Sequence, residues 1–282
     1  MRKVSLLVAV AVILFGAIAP VLAAEGDIHG TAGVTYDTRY VWRGFTLFGD
    51  KSGIHPFVDL DLMGTGFGID VTANRANASG YEKNERWDYT LYYQNKLGAA
   101  EDALATDYKL SYVYYNYPDI SSHTRASWDL QELNALLSWP NLLGIKGLVP
   151  GYCLIKLWPS NSGTVVGAAN PNGGTASGFI HVFMLDYALP LAGLTAEALE
   201  QNLNFHVETV YNDGVDPRPN GGYTDSDWTD FGGGISTDFE LGGAMTFTPG
   251  IHYQTTMEDH SVKGVGPDHN IFWATMTLKY KF

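Results

Sequence analysis

The amino-acid sequence predicts an all-β fold: a single closed antiparallel transmembrane β-barrel of about twelve strands behind an N-terminal signal peptide. Three observations predict it. Apolar residues recur with period two in segment after segment. The connections between those segments alternate in length. The chain opens on a short apolar leader and closes on a strand whose last residue is Phe282.

The leader comes first. Arg2 and Lys3 form a positive start, Val4 to Ala19 is almost wholly apolar, and Pro20-Val21-Leu22-Ala23-Ala24 offers small residues at a cut. This is the layout of a secretory signal peptide. It assigns residues 1–24 to the signal and 25–282 to one barrel domain. No Cys follows the apolar run, so a lipoprotein signal is absent. Beyond residue 24 no apolar run approaches the ~18 residues of a membrane helix.

Strand one is expected over 27–42, with His29, Thr31, Thr35, Asp37, Arg39 and, just beyond it, Arg43 on the wet face. In 54–62, Ile54, Val58, Leu60 and Leu62 oppose His55, Asp59 and Asp61. In 66–74, Phe67, Ile69, Val71 and Ala73 oppose Asp70, Thr72 and Asn74. Segments 86–97, 106–117, 127–139, 147–158 and 177–189 follow. Three of these alternate poorly. The parity slips near Gln131-Glu132, as a β-bulge would cause; 147–158 is apolar on both faces; and His181 and Asp186 take opposite faces in 177–189. In 203–212, Leu203, Phe205, Val207 and Tyr211 oppose Asn204, His206 and Glu208. In 231–241, Phe231, Ile235 and Phe239 oppose Ser236, Asp238 and Glu240. In 245–256, Phe247, Ile251 and Tyr253 oppose Thr246, His252 and Gln254. The last strand sets Phe272, Ala274, Met276, Leu278, Tyr280 and Phe282 against Thr275, Thr277, Lys279 and Lys281. Pro56 and Pro249 fall inside strands and fit badly, because Pro cannot donate to a ladder. Pro56 is expected above the lipid and Pro249 at a bulge.

The connections 63–65 and 242–243 are tight. Those at 43–53, 75–85, 159–176, 213–227 and 257–268 are long and rich in Gly, Asn, Asp and Pro. Short inner turns and long outer loops mark an outer-membrane barrel. Segments 98–105 and 190–201 are longer than that rule expects, and 191–200 could form a short helix. Backbone groups in lipid must pair with one another, so the first and last strands must join. Tyr36, Tyr40, Trp42, Trp87, Tyr89, Tyr112, Tyr114, Tyr187, Tyr280 and Phe282 are expected in the aromatic girdles at the two membrane surfaces.

Composition narrows the function. The chain carries 17 Lys and Arg against 30 Asp and Glu, a net charge of −13, and loss of Arg2 and Lys3 with the leader makes it more negative. An acidic chain lacks the cationic surface that nucleic acid requires. The single Cys153 allows no internal disulfide and no cysteine metal cluster. The eight His residues are scattered, with no His-x-x-x-His or His-Glu-x-x-His spacing, so no metal and no cofactor are expected. Loop 213–230 holds Asp213, Asp216, Asp225, Asp227 and Asp230 against Arg218. It matches no defined Ca²⁺ loop and is read as solvated. Gly-x-Ser-x-Gly is absent, and Asp259-His260-Ser261 is the nearest approach to a Ser–His pair. No catalytic residue is assigned, and an enzyme is not expected.

The segment Val34-Thr35-Tyr36-Asp37-Thr38-Arg39-Tyr40-Val41-Trp42-Arg43-Gly44-Phe45 resembles the opening strand of the TorF-type (Gcw-chp) porin family. Asp59-Leu60-Asp61, Gly66-Phe67-Gly68-Ile69 and the last strand ending in Phe282 extend the resemblance; the middle third matches only in pattern. The resemblance implies an outer-membrane barrel of porin type in a Gram-negative bacterium. It implies no catalytic residue.

The expected function is passive passage of small solutes or cations across the bacterial outer membrane. Asp59, Asp61, Asp70 and Glu208 would make the lumen acidic. Arg39 and Arg43 beside Asp37 would set a transverse field at the outer mouth, and Lys279 would line the wall lower down. Lys109, Glu132, Lys156, His206 and His252 are also expected inside. The alternatives are a closed structural or adhesive barrel that binds a partner through its outer loops, and a lipid-acting barrel enzyme. The expected partners are outer-membrane lipids, small solutes and the barrel assembly machinery, which would read the terminal strand at Phe282.

Overall fold

The computed structural model describes residues 28–42, 44–120, 129–160, 178–192, 200–213, 226–257 and 270–282. Twelve antiparallel strands form one sheet that closes on itself. They are β1 (Ile28–Asp37), β2 (Gly53–Leu62), β3 (Phe67–Ala76), β4 (Arg86–Leu97), β5 (Thr106–Asn116), β6 (Leu130–Ser138), β7 (Leu148–Pro159), β8 (Gly178–Ala192), β9 (Glu200–Asp213), β10 (Asp227–Thr237, resuming after Asp238 as Phe239–Gly242), β11 (Met245–Thr256) and β12 (Asn270–Lys281). Each pairs with its neighbour in sequence, and β12 returns to β1 in the register Thr31↔Lys281 to Asp37↔Thr275. The last residue completes the seam: Phe282 and Gly30 exchange backbone hydrogen bonds of 2.9 and 3.0 Å. Gly30 is required there, because a Cβ would lie 2.6 Å from the Phe282 ring.

Closure leaves every strand with two faces. The outer one carries Phe67, Ile69, Leu91, Leu133, Phe183, Leu185, Phe272 and Met276, all large, apolar and exposed. Such a surface is tolerable only against lipid. Trp87 stacks on Tyr89, Tyr187 on Phe205, and Tyr280 on Phe282, each near a strand end, as girdle residues should.

The structure corrects several expectations. Strand one stops at Asp37. Val41–Trp42 pair instead with Phe45–Thr46 in a small separate ribbon. Tyr40 and Trp42 are therefore absent from the girdle; they lie inside the barrel. Near Gln131-Glu132 the pairing of β6 with β5 and β7 runs without a break, so no bulge exists there. Pro56 lies within β2, not above the lipid. The ladder to β3 skips His55 and Pro56 and resumes in the same register at Phe57↔Thr72. Pro249 marks an interruption rather than a bulge, for the β10–β11 ladder skips Thr237 and Asp238, opposite Pro249 and Thr248, and resumes in the same register at Phe239↔Phe247. Register shifts in this region fall between Val210 and Tyr211 of β9, opposite Thr229, and between Glu240 and Gly242, where β10 turns into β11. Of the segment expected as a short helix, residues 191–192 belong to β8 and 200 to β9, while 193–199 lie outside the described residues. The signal segment, Arg43 and Asp259-His260-Ser261 also lie outside them.

Candidate functional site

The interior is built from residues of one parity on each strand, and cross-strand partners share a face. From β1 come Thr31, Thr35 and Asp37. His55, Asp59 and Asp61 lie opposite on β2, Asp70 and Asn74 on β3, and Arg86, Asp88 and Tyr92 on β4. Across the barrel, β8 and β9 bring Asp186, His206 and Glu208, and β10 to β12 bring Asp230, Asp238, Gln254 and Lys279.

The wall from β5 to β8 is different. Val113, Tyr115, Leu130, Ile155, Leu157, Ile180 and Val182 face inward and pack into one buried apolar cluster. On β6 the inner face also carries Asn134 and Glu132, which lies inside as expected and is wholly buried. In β7 and β8 the inner face is largely apolar like the outer one, which explains the poor alternation there. Lys156, expected inside, points outward for the same reason. It pairs with Leu133 and Phe179, and its Nζ lies 4.4 Å from the Phe179 ring centre.

Residues 38–42 and 44–52 fold into the outer half of the lumen and divide it from the inner half. Trp42 packs edge-on to Tyr115 at 5.3 Å, while Gly44 comes up against Asp230 and Gln254 on the opposite wall. Phe48 is wholly buried beside Tyr40 and Tyr81. Arg86 clamps the fold. Its guanidinium lies 4.0 Å from the Trp42 ring centre and 4.4 Å from that of Tyr115. Its Nε meets Asp88 Oδ1 at 2.7 Å, and Nη2 donates to Asp88 Oδ2 and to the Tyr40 hydroxyl, both at 3.1 Å. Burial raises the pKa of that hydroxyl, with Arg86 opposing, so it stays neutral. The chain of contacts continues: Asn74 Nδ2 donates to Asp88 at 2.8 Å, and Asn74 Oδ1 lies 2.8 Å from His55 Nδ1. His55 Nε2 is 3.4 Å from Asp37. A buried guanidinium needs such a fully engaged setting, because desolvating a charge costs several kcal/mol.

The inner half is wetter. Asp59, Asp61 and Asp70 are part-exposed on adjacent strands. Tyr92, whose ring covers Gly68, donates its hydroxyl to Asp59 at 2.6 Å. The Lys109 ammonium lies 3.8 Å from the Tyr92 ring centre. Across the lumen His206 bridges two carboxylates, Nδ1 2.7 Å from Asp186 and Nε2 3.3 Å from Glu208. Lys279 lies 3.6 Å from Asp238, which also accepts from the Thr248 hydroxyl. Carboxylates thus outnumber cations on the described inner faces.

The sequence-derived set divides accordingly. Asp59, Asp61, Asp70, Glu208 and Lys279 face the interior as expected. Asp37 also faces inward, but is buried against His55. Arg39 lies two residues beyond the end of β1, in the in-folded segment rather than on the barrel wall. The buried cation at the constriction is Arg86, which sequence reasoning missed. Its signal was present: Arg86 shares the parity of Asp88, so it had to share the inner face. Asp227 and Asp230, read within an acidic loop, belong to β10, and Asp230 is buried in the lumen. Among the described residues no group of His, Cys, Asp and Glu is arranged to hold a metal ion.

Among protein-family models and curated proteins, none matches the chain. Its fold does match solved structures. A KdgM porin in complex with disordered oligogalacturonate superposes with a TM-score of 0.50 at 8% identity, over 89% of this chain and 99% of that one. A NanC porin gives 0.49 at 10% identity, over 90% and 100%. At such identities the likeness shows the fold alone. That fold, with its lipid-facing outer wall, is a β-barrel of the bacterial outer membrane.

Proposed function

We propose that the chain is a porin-like channel that passes small solutes, with a preference for cations. The observation that carries this reading is the inner half of the lumen. There Asp59, Asp61 and Asp70 on one wall face Asp186 and Glu208 on the other, all at least partly open to water. A ring of carboxylates around an aqueous path attracts cations and repels anions. Twelve strands enclose more room than the side-chain-filled eight-stranded barrels. The oligogalacturonate in the complex of the KdgM porin is a polyanion. The carboxylate-rich lumen argues for the opposite charge preference here. Residues 38–42 and 44–52 supply the constriction.

The test is swelling of liposomes that hold the refolded mature chain. Small cationic and neutral solutes should enter faster than anions of equal size. Entry of none of them, from protein with heat-modifiable gel mobility, would contradict the reading. It would favour the second one, a barrel closed at rest, which the burial of Tyr40, Phe48 and Arg86 across the outer lumen supports. In that case the outer loops would be the place to look for a partner. No catalytic role is proposed. Recognition of the terminal strand by the barrel assembly machinery through Phe282 remains part of the proposal.

A further inference from the structure

A cavity of roughly 340 Å³ lies in the lumen against the in-folded segment, with Val41 and Gly44 in its lining. That is about eleven times the volume share of one water in the liquid, near the low end for small-molecule sites. Its two sides differ in chemistry. The side formed by β7 and β8 presents Ile155, Ile180 and Val182, all buried and apolar. The side formed by β9 to β11 presents Glu208, Asp230 and Gln254. Asn134 of β6 lines the cavity next to Ile155, beyond the β7–β8 side.

Two polar atoms here are buried and make no hydrogen bond: Asn134 Oδ1, an acceptor, and Gln254 Nε2, a donor. The Gln254 side belongs to a residue only 5% exposed. Buried polar groups are nearly always satisfied, and exceptions call for an explanation. A solute bound in the cavity supplies one. Such a solute needs N–H donors for Asn134 Oδ1 and the Glu208 carboxylate, an acceptor for Gln254 Nε2, and an apolar body for the isoleucine and valine side. Glu208 has an exposed fraction of about a third at its side chain and shares one oxygen with His206, leaving the other for a ligand.

We propose that this cavity is a binding site for small amphipathic ammonium compounds: a cationic amine, a compact apolar middle and a hydroxyl or carbonyl oxygen. The proposal rests on the channel reading, which it deepens by naming a solute class held at the constriction. The site holds the ammonium against Glu208 while the apolar body displaces water from the β7–β8 side.

Cys153, the only cysteine of the chain, lines the same cavity and reports its occupancy. The full mature chain in detergent is treated with N-ethylmaleimide, and the modification rate of Cys153 is followed by mass spectrometry. Tyramine should slow it at least tenfold. Its neutral isostere 4-(2-hydroxyethyl)phenol should do so far less, and the anion 4-hydroxyphenylacetate not at all. Glu208→Gln should remove most of the protection by tyramine and leave that by the neutral compound unchanged. Equal protection by amine and carboxylate, no protection by any of the three, or a Cys153 that never reacts would each overturn the proposal. Protection that persists in protein giving no liposome flux would retain this site and overturn the channel reading instead.

Discussion

The two walls of one lumen follow different rules. The wall from β1 to β4 and from β9 to β12 is polar inside, greasy outside, and alternates with period two. The wall from β5 to β8 carries an apolar patch on its inner face as well, through Leu130, Ile155, Leu157, Ile180 and Val182, interrupted by the buried Glu132 and by Asn134. A purely aqueous lining would need no such cluster. It exists because the chain folds part of itself inward, and Trp42 needs an apolar bed. The polar wall supplies the field, and the apolar wall supplies the seat for the constriction.

The sharpest way to break this division is at the clamp between the walls. Arg86→Leu strands Asp88 as a buried uncompensated charge and removes the guanidinium between Trp42 and Tyr115. It should cost about 3–5 kcal/mol, read from urea unfolding in detergent. The double change Arg86→Leu with Asp88→Leu should recover most of that stability, yet release the in-folded segment and raise conductance. Next in size, Leu157→Ala on the apolar wall should cost roughly 2–5 kcal/mol by leaving a cavity at a wholly buried side chain. On the polar wall, Thr277→Val removes the 2.8 Å hydroxyl contact with Thr35 and should cost only about 1 kcal/mol. Comparable losses at Leu157 and Thr277 would erase the distinction between the walls. Asp59→Asn with Asp61→Asn should leave unfolding nearly unchanged but lower cation preference by up to about fivefold, the equivalent of roughly 1 kcal/mol of attraction in watery surroundings. Smallest of all, Lys156→Leu on the outer face should stabilise by only about 0–1 kcal/mol, since the residue sits near the end of its strand.

The same contrast explains what was legible in the sequence. Strands β2, β3, β11 and β12 are plain because one face meets lipid and the other water. Segment 127–139 blurs because neighbouring polar residues take both faces, Gln131 outside and Glu132 inside, in a strand that runs without a break, and 147–158 blurs because both faces are apolar. Lys156 misleads for the same reason, since a charge on a strand ordinarily marks the wet face. The inward orientation of Asp59, Asp61, Asp70 and Glu208 is legible because they lie on strands that alternate cleanly. The in-folding of residues 38–42 and 44–52 was not legible. Tyr36, Tyr40 and Trp42 fit a girdle by spacing, and only the tertiary contacts of Arg86 with Tyr40 and Trp42 draw the latter two inward. Arg86 was within reach, given the parity it shares with Asp88.

The central claim is an open lumen whose carboxylates set its selectivity. Single-channel recording of the refolded mature chain across a potassium chloride gradient tests it most directly. Discrete current steps with a reversal potential on the cation-selective side are the predicted result. Steps that reverse on the anion-selective side would contradict the claim.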